Sequence, residues 1–347
     1  MNILKYFFIN LSWRKALIGC AAISTAYYVV ANKNKKKSEQ YVSRARSKIE
    51  GNHEIKGHKK YQAPTYQNIA YGPQKRQNLN LWINKNSHST PLLVHIHGGA
   101  FATGSKKIKV RRSWVNAGLS YASIDYRFAT GGKIKDTLND VSRAIQFLRL
   151  NAAKWNLNRD AIFVHGESAG GTAALWLAFH DDMAQPTSND PVLRVSSRVS
   201  GAIAVGAQTT FNPRTIARRL GWPVLVRHMF WDSFGAKNSS NILYRYARYN
   251  KLIQFADPVQ HIDNDDPPVL LKYKDIKPTP VTNGKDGIHN IEFGRILIEK
   301  CIEKKAKCTL QNTSIHKSTS EIEFIRKTIE AVDLSKLVEL PKVRGGR

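Results

Sequence analysis

The run Ala161-Ile-Phe-Val-His-Gly-Glu-Ser168-Ala-Gly-Gly171 decides the fold of this chain. Ala161 to Val164 are apolar and read as a buried strand, and Thr172-Ala-Ala-Leu-Trp-Leu-Ala-Phe179 is apolar on every side and reads as a buried helix. Between them, Gly166 and Gly170 flank Ser168 two residues away on either side. A chain that passes from strand to helix so quickly must cross itself closely, and glycine removes the Cβ that would block the crossing. The turn lifts the Ser168 hydroxyl above the sheet, at the positive end of the following helix.

The rest of the chain fits around that turn. With 347 residues, 42% of them hydrophobic, it can bury one large α/β domain with appendages, or two domains of ordinary size. The net charge of +28 raises the thought of a nucleic acid. Yet there is no zinc-finger spacing, no aromatic RNA-binding motif and no basic zipper helix. The basic residues are spread over Lys106 to Arg112, Arg214 to Arg219 and Lys300 to Lys307. No nucleic-acid partner is expected. The charge reads as solvated surface, with an anionic membrane as the other candidate partner. The three cysteines, Cys20, Cys301 and Cys308, show no metal-ligand spacing, so no metal is expected. Cys301 and Cys308 read as two buried thiols, with a disulfide as the alternative in an oxidising compartment.

Residues 1–31 differ from the rest of the chain. Ala16 to Ala31 carries no charge, follows Arg14-Lys15 and precedes Lys33 to Lys37. A signal anchor is the favoured reading, since Tyr27 and Tyr28 suit a membrane interface. A cleaved signal peptide ending at Val29-Val30-Ala31 is the second, and a lipoprotein signal at Leu17-Ile-Gly-Cys20 the third. Each predicts a membrane-associated or cell-envelope location. Residues 32–61 are basic, nearly free of apolar positions, and read as a flexible linker. Residues 62–335 read as the catalytic domain and residues 336–347 as a disordered tail.

Within 62–335, Tyr66 to Tyr71 and Leu79 to Ile83 predict a hairpin of edge strands around Gly72-Pro73. Further strands are expected at Leu92 to His97, Tyr121 to Tyr126, Gly201 to Val205, Val269 to Tyr273 and Cys308 to Gln311. Helices are expected over Lys107 to Ala117, around Leu138, Val141, Ile145, Leu148, Ala152 and Trp155, from Ile288 to Glu303, and from Ser320 to Val332. Continuously apolar strands alternating with helices predict a mostly parallel central sheet covered on both faces. Asp181 to Val199 is a polar excursion. Phe211 to Ile262 is a helical insertion rich in Arg, Trp and Tyr (Trp222, His228, Phe230, Trp231, Tyr244, Tyr246 and Tyr249). It is placed either over the active site as a lid or in the core as extra packing.

A serine hydroxyl needs a base to take its proton and fixed donors to hold the oxyanion that forms. His97-Gly98-Gly99-Ala100 ends an apolar strand about 70 residues before Ser168. Its backbone amides at Gly99 and Ala100, with that of Ala169, form a candidate oxyanion hole. The base is expected late in the chain, on the loop after the last strand, which selects His316. His289 is the rival, placed inside the first turn of the Ile288 helix. Two carboxylates, Asp275 and Asp286, lie on the loop after the Val269 strand and could orient that base. Asp286, thirty residues before His316, is favoured on path length; its alternative role is to cap the following helix.

Residues 62 to 335 resemble the α/β-hydrolase superfamily, in its esterase/lipase branch. His97-Gly-Gly-Ala-Phe-Ala-Thr-Gly104 and Gly166-Glu-Ser-Ala-Gly-Gly171 are most similar to the bacterial feruloyl-esterase-like (BD-FAE) and hormone-sensitive-lipase-like groups. The resemblance implies an α/β-hydrolase fold and a carboxylesterase without cofactor, acting on a small-molecule ester. It implies the order nucleophile, acid, base, which falls on Ser168, Asp286 and His316. The family segment D-x-V-V-P-x-x-Q lies on Asp286-Gly-Ile-His-Asn-Ile-Glu-Phe293 without gaps, which favours Asp286 over Asp275 and makes His289 a helix-start residue. Two positions depart from the pattern: Tyr273-Lys274 stands where the family has His-Gly, and Thr313-Ser314-Ile315-His316 where it has Gly-x-Gly-His. A peptidase or amidase on the same fold, or a non-catalytic binding protein, are the other classes these motifs admit.

Overall fold

A computed structural model describes residues 61–85, 89–226, 231–274, 277–314 and 319–338. The chain divides into two units, Met1–Lys56 and Gly57–Arg347, and all described residues belong to the second. The expected anchor and nearly all of the linker, the residues after 338, and Asp275, His228, Phe230 and His316 lie outside the described residues. Among the described residues no helix is long and apolar enough to cross a membrane.

Eight strands form the central sheet. They are β1 (Tyr66–Ala70), β2 (Asn78–Trp82), β3 (Thr90–Ile96), β4 (Ser120–Ile124), β5 (Leu157–Glu167), β6 (Gly201–Val205), β7 (Val269–Tyr273) and β8 (Cys308–Asn312). Their spatial order is β1-β2-β4-β3-β5-β6-β7-β8. The first two pairings are antiparallel and the rest parallel. This is the architecture read from the sequence, with the hairpin at one edge and the serine strand β5 in the middle.

The register sorts the side chains by face. Leu92, Val94 and Ile96 of β3 lie beside Ile162, Val164 and Gly166 of β5. That row packs into the larger core with α1 (Ile134–Leu150) and α2 (Ala169–Phe179). In α1, Leu138, Val141, Ile145 and Leu148 recur at three- and four-residue steps and are buried, which is the stripe a covering helix needs. The opposite face carries Leu93, Phe163, Ile203 and Leu270, covered by Val115 and by Ile325 of α5 (Glu321–Val338).

The second face also buries polar groups. His95 and His165 sit side by side in the register, their Nδ1 atoms 3.2 Å apart. Tyr121 stacks on His95, and Trp114 meets His165 edge-on. Further along, Lys272 donates to Glu321 at 2.9 Å and to the Thr319 carbonyl at 3.1 Å, fastening the start of α5 to the sheet. Ser320 caps that helix, its Oγ accepting from the Glu323 amide at 3.1 Å.

Three expectations change. The helix predicted over Lys107 to Ala117 is confined to Arg112–Asn116, because Val110–Arg111 pairs with Tyr61–Gln62 and buries Val110. The helix expected from Ile288 begins instead at Glu292 and runs to Lys304 as α4. The Asn290 side chain accepts from the Glu292 amide at 2.9 Å, which starts the helix there and leaves His289 ahead of it. Cys301, at the end of α4, and Cys308, which opens β8, are joined as a disulfide rather than held as thiols.

The insertion supplies core packing, one of the two readings expected of it. Trp231 and Tyr249 are buried, whereas Trp222 and Tyr244 are 57% and 89% exposed. Its backbone bonds the loops after β4 and β7: Gly132 and Ile134 donate to Asp232 and Ser233, and Val281 donates to Leu220. It therefore lies at the carboxyl ends of the strands. The helix α3 (Tyr246–Ala256) closes it against the core, with the Trp176 indole donating to the Phe255 carbonyl at 2.6 Å.

This packing has two measurable outcomes. A Cβ on Gly170 would stand 2.0 Å from the Ile96 carbonyl oxygen, a backbone atom that cannot move aside. Gly170→Ala should therefore lose at least about 3 kcal/mol in chemical denaturation, a core-clash magnitude; a loss under about 1 kcal/mol would mean the crossing is not this tight. Burial pushes the His95 imidazole down to about 3 and the His165 imidazole down to about 4. Both lie below the unfolded value of about 6.5, so the unfolded chain binds more protons in between. Their stabilisation is complete above about pH 6.5 and is lost as pH falls towards the folded values. Thermal melts should show Tm falling by several degrees from pH 7.5 to pH 5, roughly 2–4 °C per kcal/mol. A His95→Phe/His165→Phe variant should have a flatter profile; an unchanged slope would remove these rings as its source.

Candidate active site

The β5–α2 turn holds Ser168 at φ 53° and ψ −123°, a left-handed conformation that a side-chain-bearing residue adopts only when its surroundings force it. Those surroundings are visible. The Ser168 amide donates to the Val205 carbonyl at the end of β6 at 2.9 Å, and its own carbonyl accepts from the Thr172 amide at 2.9 Å. Strand and helix thus pull the residue from both sides, and the hydroxyl is left at the top of the sheet. Ala169 is the first residue of α2, where helix geometry leaves a backbone N–H without an intrahelical acceptor.

The end of β3 lies against this turn. A Cβ on Gly98 would be 2.7 Å from the Glu167 carbonyl oxygen and 3.6 Å from the Ser168 Cβ. Gly99, Ala100 and Phe101 all have positive φ, so the chain curls back over three residues. The Gly99 carbonyl accepts from the amides of Ala102 and Thr103 at 2.9 and 3.0 Å and is turned away from the serine. Gly99, Ala100 and Ala169 are the candidate oxyanion hole: Ala169 directly follows Ser168, and Gly99 and Ala100 follow the Gly98 that lies against the turn.

Beneath that loop is a buried polar support. His97 stacks on Tyr126 with ring centroids 4.1 Å apart, and the Tyr126 hydroxyl donates to the His97 carbonyl at 2.5 Å. Burial lowers the His97 imidazole to about 4, so it is neutral at physiological pH. Asp125 gathers Lys106 Nζ at 3.2 Å, the Lys106 amide at 2.7 Å and Arg76 Nη2 at 3.3 Å. Arg76 reaches on to the Gly104 carbonyl at 3.1 Å and the Tyr126 carbonyl at 2.7 Å. Both ends of the His97–Gly104 segment are therefore tied to one charged cluster.

Among the described residues, the histidine that meets the serine is His289. Its Nε2 lies 2.9 Å from Ser168 Oγ, and its ring carbons lie about 3.5 Å from the position of a Cβ on Gly206. With Nε2 unprotonated, the hydroxyl donates to it, which is the contact a general base requires. His289 sits between the short helix Gly284–Gly287 and α4, with Asn290 buried behind it and donating to the Lys277 carbonyl at 2.8 Å. His316, selected from chain order, lies outside the described residues. Periodicity alone assigns His289 to a helix turn. The signal that frees it is Asn290, a capping residue two positions before Glu292.

Asp286 is found three residues before His289, with its carboxylate on Lys277 Nζ at 2.5 Å and on Asn283 Nδ2 at 2.5 Å. The Lys277 ammonium holds it below the usual carboxylate range. Asp286 does not cap the helix that follows, where Asn290 accepts from the Glu292 amide; it lies inside the short helix Gly284–Gly287, which Asn283 caps, its Oδ1 accepting from the amides of Lys285 and Asp286 at 3.0 and 3.1 Å. Asp275, the other candidate acid, lies outside the described residues. Among the described residues no group of three or more His, Cys, Asp or Glu side chains is arranged to hold a metal ion.

Comparison with known proteins adds the family to this geometry. Esterase LipC of Mycobacterium tuberculosis is 23% identical over 67% of this chain and 54% of its own length. A probable isoprenylcysteine alpha-carbonyl methylesterase of Arabidopsis thaliana is 30% identical over 38% of this chain and 28% of its own. The chain therefore spans about half, or less, of these curated relatives. Among solved structures, a truncated carbohydrate esterase from gut microbiota superposes with a TM-score of 0.56 at 17% identity, covering 81% of this chain and 99% of that one. The acetyl ester-xyloside bifunctional hydrolase of Caldicellulosiruptor lactoaceticus gives 0.55 at 18%, covering 80% and 95%. At these identities the likeness is one of fold, that of the α/β hydrolases. The BD-FAE family model matches residues 79–275, from β2 through the Ser168 turn to the start of the loop after β7. Asp286, His289 and His316 all lie beyond the match, whose span is more than half of the chain, and the chain belongs to the BD-FAE family.

Proposed function

We propose that this protein is a serine hydrolase of carboxylic esters in which Ser168 is the nucleophile and His289 the general base. The observation that carries the reading is the 2.9 Å contact between His289 Nε2 and Ser168 Oγ. Esterase relatives and the family support the ester as the substrate class.

The chemistry runs from the groups at the turn. Ser168 Oγ attacks the ester carbonyl as His289 Nε2 takes its proton. The carbonyl oxygen becomes an oxyanion, met by the amides of Gly99, Ala100 and Ala169, with the α2 N-terminus adding its positive end. His289 then returns the proton to the departing alcohol, leaving an acyl group on Ser168 Oγ. Water, deprotonated by the same imidazole, attacks that acyl group and releases the acid. Asp286, negatively charged and close in sequence to His289, is the proposed acid, and its pairing with Lys277 keeps the charge in place. The insertion at the strand ends forms the proposed wall of the acyl or alcohol pocket.

Two sets of measurements test this on the full chain. Hydrolysis of p-nitrophenyl acetate and labelling by a fluorophosphonate probe should both fall at least about a thousandfold in Ser168→Ala and in His289→Ala, the usual scale for removing a triad member. His316→Ala should stay within about threefold of wild type on the same scale. The reverse ranking of the two histidines would return the base to His316, as chain order alone suggests. Separately, a p-nitrophenyl ester should be turned over far faster than the matching p-nitroanilide; comparable rates would replace the esterase reading with an amidase.

A further inference from the structure

The geometry points to Gln208 as a positioning residue that sets His289 against Ser168; this rests on the reading of His289 as the base. Gln208 follows β6 and is buried, and both ends of it are in use. Its side-chain amide nitrogen donates to the carbonyl of Ile288, the residue immediately before His289, and lies 3.4 Å from the Gly206 carbonyl. Its backbone is bound to Thr172, one turn beyond Ser168 in α2. The Gln208 amide donates to Thr172 Oγ1 at 3.1 Å, and Thr172 Oγ1 donates to the Gln208 carbonyl at 2.9 Å.

These bonds make a three-residue bridge, Thr172 to Gln208 to Ile288, whose two ends carry the nucleophile and the base. Thr172 is also buried, so the reciprocal pair is shielded from water and a lost partner would leave a buried polar group unsatisfied. His289 itself is exposed and stands on a loop between two helices, where nothing in regular secondary structure fixes its height above the serine. Asn290 ties the far side of that loop to Lys277, but Lys277 belongs to the same connection between β7 and α4. Gln208 ties it to the serine helix. The bridge therefore supplies the distance between Oγ and Nε2, and the pair is poised before substrate arrives.

The test is a set of variants in the full chain, read by fluorophosphonate labelling rate and by steady-state hydrolysis of p-nitrophenyl acetate. Gln208→Met keeps the length and removes the donor; Gln208→Glu turns an acceptor towards the Ile288 carbonyl. Both should lower kcat and the labelling rate about 10- to 100-fold, the scale of a misplacement near 1 Å, with KM within about twofold. Thr172→Val should lose activity in the same manner, and Thr172→Ser, which retains the hydroxyl, should restore most of it. In a His289→Ala background, Gln208→Met should change the residual rate no further, since it acts only through the base. Wild-type labelling by a folded Gln208→Met protein would overturn the bridge, as would an equal further loss in the His289→Ala background, which would mark a purely structural role. Should Gln208→Met fail to fold, the Thr172 pair carries the same test. If His289→Ala alone labels like wild type, it is the assignment of the base that fails, and the two failures are told apart by that one variant.

Discussion

Everything at the site depends on how closely three backbone segments meet: the end of β3, the turn after β5 and the first residues of α2. The position of a Cβ on Gly170 lies 2.0 Å from the Ile96 carbonyl oxygen, that on Gly166 lies 2.3 Å from the Gly170 backbone, and that on Gly98 lies 2.7 Å from the Glu167 carbonyl. Without side chains at these positions the segments touch, and Ser168 is held at positive φ as a result. The strain is local and small beside the burial on either side. Ile96, Val164 and the whole of α2 are buried, so the sheet and the helix cannot relax apart to relieve it. The reactive hydroxyl is presented by backbone packing, and the side chains nearby only refine its surroundings.

The two faces of the sheet make different contributions. The face under α1 and α2 is apolar and continuous, and it carries the Ser168 turn. The opposite face accepts half-buried His95, buried His165 and the Lys272–Glu321 pair beneath α5. Replacing such groups with apolar ones is often neutral or favourable, so their presence is weak evidence of a stabilising role. What they do fix is docking: Lys272 reaches both the Thr319 carbonyl and Glu321, so α5 has one register on the sheet. Both imidazoles are neutral, which lets the second face stay closed near neutral pH.

The fold was legible because its signals are local and repeated. Apolar strands such as Leu92 to Ile96 and the stripe Leu138, Val141, Ile145, Leu148 state their own burial, and the glycines around Ser168 state the turn. The candidate oxyanion residues could be named for a similar reason, since Gly/Ala identity at the end of an apolar strand suits a close approach. The base was not. His289 falls in a stretch whose periodicity continues into α4, and a helix read from periodicity swallows the residues ahead of it. The side chain that ends this confusion, Asn290, acts through one hydrogen bond to Glu292, which composition does not reveal. Gln208 was invisible for a different reason: its partners Thr172 and Ile288 are 36 and 80 residues away, so only the folded chain brings them together.

The position of His289 has a consequence for how the site tolerates change. The proposed base, on the connection between β7 and α4, meets Ser168 from beside β6, where its ring lies over Gly206 and Gln208 gives the preceding residue's carbonyl a partner. The Cys301–Cys308 link and β8 lie one element further on, behind α4. Sequence changes after α4 can then alter β8 and the loop beyond it without moving the pair that touches. At the departure Tyr273-Lys274, the Tyr273 hydroxyl donates to the Ala207 carbonyl at 2.7 Å, steadying the Gly206 to Gln208 turn beside His289. On the proposed assignment of His289, the β6 turn is the element on which its contact with Ser168 depends.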